Sequence, residues 1–504
     1  MTDCNNSKHG QFNSIDRLSD LPDFIIHQII SYLYTEEAYR TSVLSKRWNQ
    51  VFTTNPILDF YHYNFPTDMI PRYLEYIDAR MQKISRENLR IKTFKLALRR
   101  TDLLLGCKVD EWLEIAVRNQ VAEIELQDPV NYKLPRFLFC AKSLRDLDIA
   151  NVKIPYYEAL DLVSLESLVL GNVVVEERML FHIVSSCLLL KKLLLSFCPG
   201  FKNLTIPCHS KLEDLYIEGN VPEDGRVILE TSSLRSFDYN TNGVNPWPII
   251  SNHGLLRNLR HLLVTGLSIT GEDLAKLLQE ELTSLEKLEF IGCRMLTSIK
   301  ISHTQLKQIC FYECNNLLNI VIDVPNLKKF KFHGKIPRPL SITIHSQANY
   351  CNIHVRTKAR YLDTGGFFKL KKLLKGLNSC NVLKIMLDDE PFESNEEEEE
   401  EEEEEDGNLG PPCDIGELKL NLYSYSELSI SSSLSAFLNG LFRTCHPPII
   451  SLRVHSSCHK LTLETLLNNL VNMVNCLRNP LKRIEVGETN NHSRYLEVQL
   501  RLCW

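Results

Sequence analysis

The chain has 504 residues, 44% of them hydrophobic and 24% charged, a globular composition with room for several domains or one large repeat array. Its 16 cysteines are about 3% of the chain, whereas disulfide scaffolds are short and exceed ~8%, so a disulfide framework is excluded. The formal net charge of −6 comes from one stretch: Asp388 to Asp406 carries 15 acidic residues and no basic one, and without it 57 basic residues face 48 acidic ones. That excess is too weak to imply nucleic acid.

In chain order, the first fifteen residues, MTDCNNSKHGQFNSI, are polar and lack the apolar core of a secretory signal. No apolar run approaches the roughly 20 residues of a bilayer-crossing helix, since stretches such as CLLLKKLLLSFC are broken by Lys191 and Lys192. The expectation is a soluble, intracellular chain with no membrane partner. The stretch DLPDFIIHQIISYL (20–33) predicts a helix with Asp20 as its cap and Pro22 in its first turn. Its apolar residues Phe24, Ile25, Ile26, Ile29, Ile30 and Leu33 spread most of the way round a 3.6-residue period. Further helices are expected over Thr35 to Val43 and Ser45 to Phe52. A unit of about 40 residues buries too little surface to stand alone. Its surplus apolar side chains therefore meet either an outside partner or the first element that follows.

From Leu144 a pattern recurs: LRDLDI, LESLVL, LKKLLL, LEDLYI, LRSFDY, LRHLLV, LEKLEF, LKQICF and LKKFKF. The segments begin at Leu144, Leu165, Leu190, Leu212, Leu234, Leu259, Leu285, Leu306 and Leu327, at intervals of 21, 25, 22, 22, 25, 26, 21 and 21 residues. These intervals and the L-x-x-L-x-L-x-x-[NC] form are those of a leucine-rich repeat, with Cys198, Asn220, Asn242, Cys293 and Cys314 at the last position. Earlier strands are expected in LRIKTFKLAL (89–98) and VAEIELQD (121–128), with an amphipathic helix in DEWLEIAVRN. After the acidic run, expected to be a disordered insertion, GELKLNLYS, IISLRVHSS and LKRIEVGE predict three more strands with helical stretches at 434–445 and 462–477. They are taken as a divergent cap, because the last repeat of a solenoid has no neighbour to cover it.

Alternation along each repeat strand buries the leucines and turns the intervening residues outward. On this basis the candidate target-binding residues are Asp214, Tyr216 and Glu218 with Asp238 on the next strand, an acidic and partly aromatic patch, and Lys329, Lys331 and His333, a basic one. Solvent-facing strand positions are also commonly charged without any binding role. No G-x-S-x-G, P-loop, H-E-x-x-H or catalytic-cysteine signature occurs. The group His455, Cys458 and His459 and the pair Cys310 and Cys314 match no zinc spacing. Gly365-Gly366 is taken as a turn. No catalytic residue, metal or cofactor is expected.

Residues 16–52 resemble an F-box, the three-helix motif that binds the Skp-family adaptor of cullin-based ubiquitin ligases. The resemblance rests on Leu18, Leu21-Pro22, Ile25, Ile29, Leu33 and the segment Val43-Leu44-Ser45-Lys46-Arg47-Trp48. VLSKRW, DEWLEIAVRNQVAEIEL and LPRFLFCAKSLRDLDI are similar to the plant F-box/leucine-rich-repeat family. The likeness covers residues 16 to about 335. It departs at Tyr34, where many members have proline, and in the C-terminal part, which does not match the short domain that often closes these proteins.

The resemblance implies an α/β fold: an N-terminal three-helix F-box, then a leucine-rich-repeat solenoid (a horseshoe) with a parallel concave sheet. The expected segments are a flexible terminus (1–15), an F-box (16–56), a linker or helical cap (57–88), repeats (89–387), the acidic insertion (388–412) and divergent C-terminal repeats or cap (413–504). It also implies adaptor contact through Leu18, Leu21, Pro22, Ile25, Ile29, Leu33, Val43 and Leu44, with Trp48 locking the third helix. The function implied is target recognition for an SCF-type ubiquitin ligase in the nucleus or cytoplasm, with no nucleic acid bound. A ligase-independent repeat scaffold and a small-molecule co-receptor of the F-box class are the alternatives.

Overall fold

In the computed structural model, all nine L-x-x-L-x-L segments open a coil in one way. The first leucine is buried, at 0–2% exposure in every case, and a strand begins two residues later, as in Asp146–Ala150 after Leu144 or Lys287–Ile291 after Leu285. The structure describes residues 21–33, 35–43, 45–61, 70–98, 106–127, 132–219, 225–240, 249–251, 255–335, 340–345, 350–357, 364–377, 379–387, 411–422, 440–455, 487–488 and 495–501. The chain divides into two units, Met1–Phe201 and Lys202–Trp504.

The first unit opens with helices α1 (Asp23–Ser31), α2 (Thr35–Thr41) and α3 (Lys46–Thr54). The helix α1 starts one residue after Pro22, so Pro22 is its N-cap and not part of its first turn. The Pro22 carbonyl accepts from the amides of Ile25 (2.9 Å) and Ile26 (3.2 Å). Asp20, the expected cap, lies outside the described residues. Ser45 caps α3 by accepting from the Trp48 amide at 3.1 Å, a contact that contributes about 1 kcal/mol. Ile26, Ile30, Ala38, Trp48, Val51 and Phe52 form the core between the three helices.

Helices α4 (Ile70–Glu87) and α5 (Gly106–Arg118) then alternate with strands. Asp78 on α4 ties the two helices together by accepting from Trp112 Nε1 and Lys108 Nζ, each at 2.7 Å. The strands Ile57–Tyr61, Thr93–Ala97, Glu123–Gln127, Asp146–Ala150, Ser167–Gly171 and Lys192–Ser196 form a six-stranded parallel ladder in this order. Its first strand falls within the interval 57–88.

In the second unit the parallel ladder runs through ten strands: Asp214–Glu218, Ser236–Asn240, His261–Thr265, Lys287–Ile291, Gln308–Tyr312, Lys329–Lys335, Tyr350–Thr357, Cys380–Leu387, Cys413–Leu422 and Ile449–His455. Tyr495–Arg501 then pairs antiparallel with the last of them, which covers the terminal edge that a solenoid must cap. The acidic run, Asn220, Asn242, the stretch 462–477 and most of LKRIEVGE lie outside the described residues. Gly365 and Gly366 are in the first turn of helix α8 (Thr364–Lys375), which also includes Lys371, and so do not make the turn expected of them.

Coil length sets what backs each strand. Two of the three coils of 25 or 26 residues return through a helix, α6 (Glu177–Ser186) or α7 (Gly271–Glu280), which the chain reaches before α8; the third returns through the short strand Ile249–Ser251 and a 3-10 turn at Leu255–Asn258. Most coils of 21 or 22 residues return through short strands such as Leu204–Ile206, Ser298–Ser302 and Asn319–Asp323. A 10-residue helix spans about 15 Å, which about five extended residues also span, so the helical return needs the extra four or five residues.

Candidate functional site

Two kinds of surface carry the candidate residues. On the three-helix segment, Leu21, Ile29 and Leu33 are half-buried against the core, Ile25 is half-buried and Pro22 exposed. Val43 is 77% exposed, whereas Trp48, at 3%, belongs to the core and supports α3 from within. Leu18 and Leu44 lie outside the described residues. Phe24 (68% exposed) and Tyr32 (80%) join this surface without having been singled out in sequence. A helical wheel carries the signal, because Phe24 projects roughly 160° from the buried Ile26.

Two arginines hold the segment in place. Arg47 on α3 donates to the Leu21 carbonyl and meets the Asp23 carboxylate at 2.8 Å, clasping α3 to the start of α1. The ion pair is exposed and contributes at most ~1 kcal/mol. Arg80 on α4 is 7% exposed and donates to the carbonyls of Phe52 (3.0 Å) and Thr53 in the last turn of α3. One side of the helical segment thus packs on the first coil while another stays bare.

The second kind of surface is the open face of each ladder. In the second unit Asp214, Tyr216 and Glu218 stand in register with Ser236, Asp238 and Asn240, and the Asn240 side chain donates to Glu218 at 3.0 Å. Burial raises the Asp238 carboxyl above its usual range, against the pull of His261 and Lys287. His261 Nδ1 is 3.9 Å from Asp238, too long for a hydrogen bond, while its Nε2 is 3.3 Å from Glu289. Glu289, 7% exposed, feels an opposing burial effect, but hydrogen bonds with His261 and Lys287 hold it down at about 2.

Lys329, Lys331 and His333 stand five strands beyond the Asp214 strand, roughly 24 Å away at ~4.8 Å per step. The ladder therefore keeps the acidic and basic groups apart, with the His261, Lys287 and Glu289 network between them. Lys329 lies over the Tyr350 ring at 6.0 Å. In the first unit an acidic set that sequence reading missed, Asp59, Glu125 and Asp148, shares one row with Lys95. Burial raises Asp59 and Asp148, and Lys95 pairs with Glu125 at 3.0 Å.

Two of the three ladder cysteines bond back to the preceding coil. Cys198 Sγ donates to the Leu170 carbonyl (3.2 Å) and Cys293 Sγ to the Val264 carbonyl (3.8 Å). Cys314 Sγ donates to Tyr312 in its own coil at 3.5 Å. Cys293 and Cys314 are buried, but Cys198 is only half-buried. Among the described residues no cluster of three His, Cys, Asp or Glu side chains could hold a metal ion.

Comparison with known proteins agrees with this architecture. The family model for the At1g61320/AtMIF1 LRR domain matches residues 84–242 and 225–391, together more than half of the chain, and the F-box domain model matches residues 18–60. Among Arabidopsis thaliana relatives, F-box/FBD/LRR-repeat protein At5g56420 is 30% identical over 240 residues, 44% of this chain and 54% of its own length. F-box/LRR-repeat protein At5g02910 is 29% identical over 212 residues, 41% and 44%. FBD-associated F-box protein At5g22730 is 30% identical over 190 residues, 36% and 39%. The chain spans about half the length of the curated relatives it matches. With the three-helix segment and the leucine-led ladder both in place, the chain belongs to the F-box/leucine-rich-repeat family.

Proposed function

We propose that this protein is the target-recognition subunit of an SCF-type ubiquitin ligase, acting in the nucleus or cytoplasm. The three-helix segment docks on a Skp-family adaptor, and the open face of the second unit's ladder holds a target protein. Ubiquitin transfer is then another protein's chemistry, accelerated here by proximity.

One observation carries the reading. A three-helix segment with a complete core still leaves Phe24, Tyr32 and Val43 mostly exposed beside Pro22 and the half-buried Leu21, Ile25 and Ile29. Covering a large apolar side chain contributes ~1.5–3 kcal/mol, so an adaptor that buries several gains enough for stable capture. The test is capture of a purified Skp-family adaptor by the full chain and by its Leu21→Ala/Pro22→Ala variant. The variant should bind at least about tenfold more weakly, or ~1.4 kcal/mol, with unchanged circular dichroism. Wild-type capture by a folded variant would rule out this docking surface.

A further inference from the structure

The basic candidates Lys329, Lys331 and His333 are the start of a longer feature. His333 stands in register with His354, His354 with Lys384, and Lys384 with Lys419, on four successive strands. The row crosses three ladder steps, roughly 14 Å at ~4.8 Å each. Lys331 pairs in register with Asn352 in the row beside it, and Lys335 with Arg356 on the other side. The rings of His333 and His354 meet edge to face at 5.8 Å. Two carboxylates answer these cations: Glu313 is 3.5 Å from His333 Nε2, and Glu417 is 3.3 Å from Lys419 while also accepting from Ser451 at 2.6 Å.

Two further observations describe the polar side chains of this face. Asn352 is 6% exposed, yet its Oδ1 has no hydrogen-bond partner. An acceptor calls for a donor, which the backbone N–H groups of an extended peptide supply. His354 is held down at about 4 by burial and then by Lys384, His333, Lys331 and Lys419, and His333 is lowered by burial and by Arg356 and Lys384. Burial first, and the neighbouring cations second, disfavour the charged form of both imidazoles, while Glu313 opposes this at His333.

Resting on the reading that the target binds this ladder face, we infer that the face takes an extended acidic segment of the target, whose carboxylates lie across Lys331, His354, Lys384 and Lys419. The cations Lys331, Arg356, Lys384 and Lys419 are spread over four strands and so fit a line of charges better than one small anion. Glu313 and Glu417 interrupt the positive charge, which suits the row poorly to the continuous phosphate backbone of a nucleic acid. A bound carboxylate favours the protonated imidazole, so binding raises the His354 pKa.

The probe is a fluorescein-labelled dodecapeptide alternating glutamate and serine, added to the full chain in complex with a Skp-family adaptor and followed by fluorescence anisotropy. The peptide should bind, and binding should weaken as salt rises. The variant Lys331→Glu/Lys384→Glu/Lys419→Glu should lose at least about tenfold in affinity. The milder Lys384→Gln, which keeps the side chain's length, should lose about threefold if the triple variant does not fold. The His354 pKa, read by NMR, should rise on adding peptide.

Equal binding of a lysine–serine peptide, tighter binding of a single-stranded RNA, or unchanged affinity in the folded triple variant would each overturn the inference. So would binding by a phosphoserine peptide alone, which moves recognition to phosphate. Binding that appears only after deletion of Glu396 to Glu405 would replace the target by the chain's own acidic run. Adaptor capture is scored in the same samples. Lost capture with intact peptide binding refutes the ligase reading alone, and the reverse refutes this inference alone.

Discussion

On the first unit's ladder one open row reads Asp59, Lys95, Glu125 and Asp148. On the second unit's ladder a row reads His333, His354, Lys384 and Lys419. The buried rows beside them are alike: Phe60, Leu96, Leu126 and Ile149 in one, Phe332, Ile353, Leu383 and Leu418 in the other, none above 2% exposed. The same apolar core therefore supports open faces of opposite charge. Burial of the inward row stabilises the coil, and the charge of the outward row is not fixed by that burial.

The sharpest way to break this contrast is to exchange the sides. Phe311 is fully buried and stacks on Phe290 at 5.5 Å, so Phe311→Ala should cost about 3–5 kcal/mol. On the next strand's open row, Lys331→Ala should stay within ~0.5 kcal/mol. Urea denaturation of the two variants decides it; comparable losses would mean that the open face is part of the fold's support.

Glu289 blurs the contrast, because it lies in an outward row yet is buried and paired. Its carboxyl is held at about 2 against an ordinary 4.5. A depressed folded value means that the stabilisation is complete above pH ~4.5 and disappears as pH falls toward 2. Glu289→Gln should therefore cost up to about 3 kcal/mol at pH 7, and the gap from wild type should close as the pH is lowered to 2. A gap independent of pH would mean that packing, not charge, makes the contribution.

A smaller effect is expected for the acidic patch. Reversing Asp214, Glu218 and Asp238 to lysine should weaken target capture at least about tenfold and leave adaptor capture and circular dichroism unaltered. Undiminished capture would move the target off these strands. The least perturbing test is thiol labelling. Cys107, Cys140 and Cys208 are exposed and should react fast, Cys198 more slowly, and buried Cys293 and Cys314 only on unfolding. Rapid labelling of Cys293 and Cys314 in the native state would contradict the assigned ladder register.

Much of the ladder was legible because a leucine at a fixed offset from each strand is a local, repeated signal. From Leu144 to Leu327 it locates the start of every main-ladder strand, but not the short return strands such as Leu204–Ile206. Ile57–Tyr61 escaped because five residues without a leading repeat carry no such signal. The basic row was seen only in its first strand, since the coils at Tyr350, Cys380 and Cys413 lack the leading L-x-x-L. The charge network around Glu289 joins Lys287, two residues along the same strand, to His261, 28 residues away, which only the register brings beside it. On α1, consecutive Phe24, Ile25 and Ile26 are equally apolar in one dimension; only packing against Trp48 and Phe52 decides that Ile26 goes in and Phe24 stays out.

In the proposed function, one chain joins an adaptor and a target through separate surfaces. Affinity purification of the full-length protein with proteasomal degradation blocked tests it most directly, comparing wild type, Leu21→Ala/Pro22→Ala and Asp214→Lys/Glu218→Lys/Asp238→Lys. The first variant should lose the Skp-family adaptor and cullin but keep the target, and the second should keep the adaptor and lose the target. Variants that both lose the same partners, or lose none, would contradict the claim.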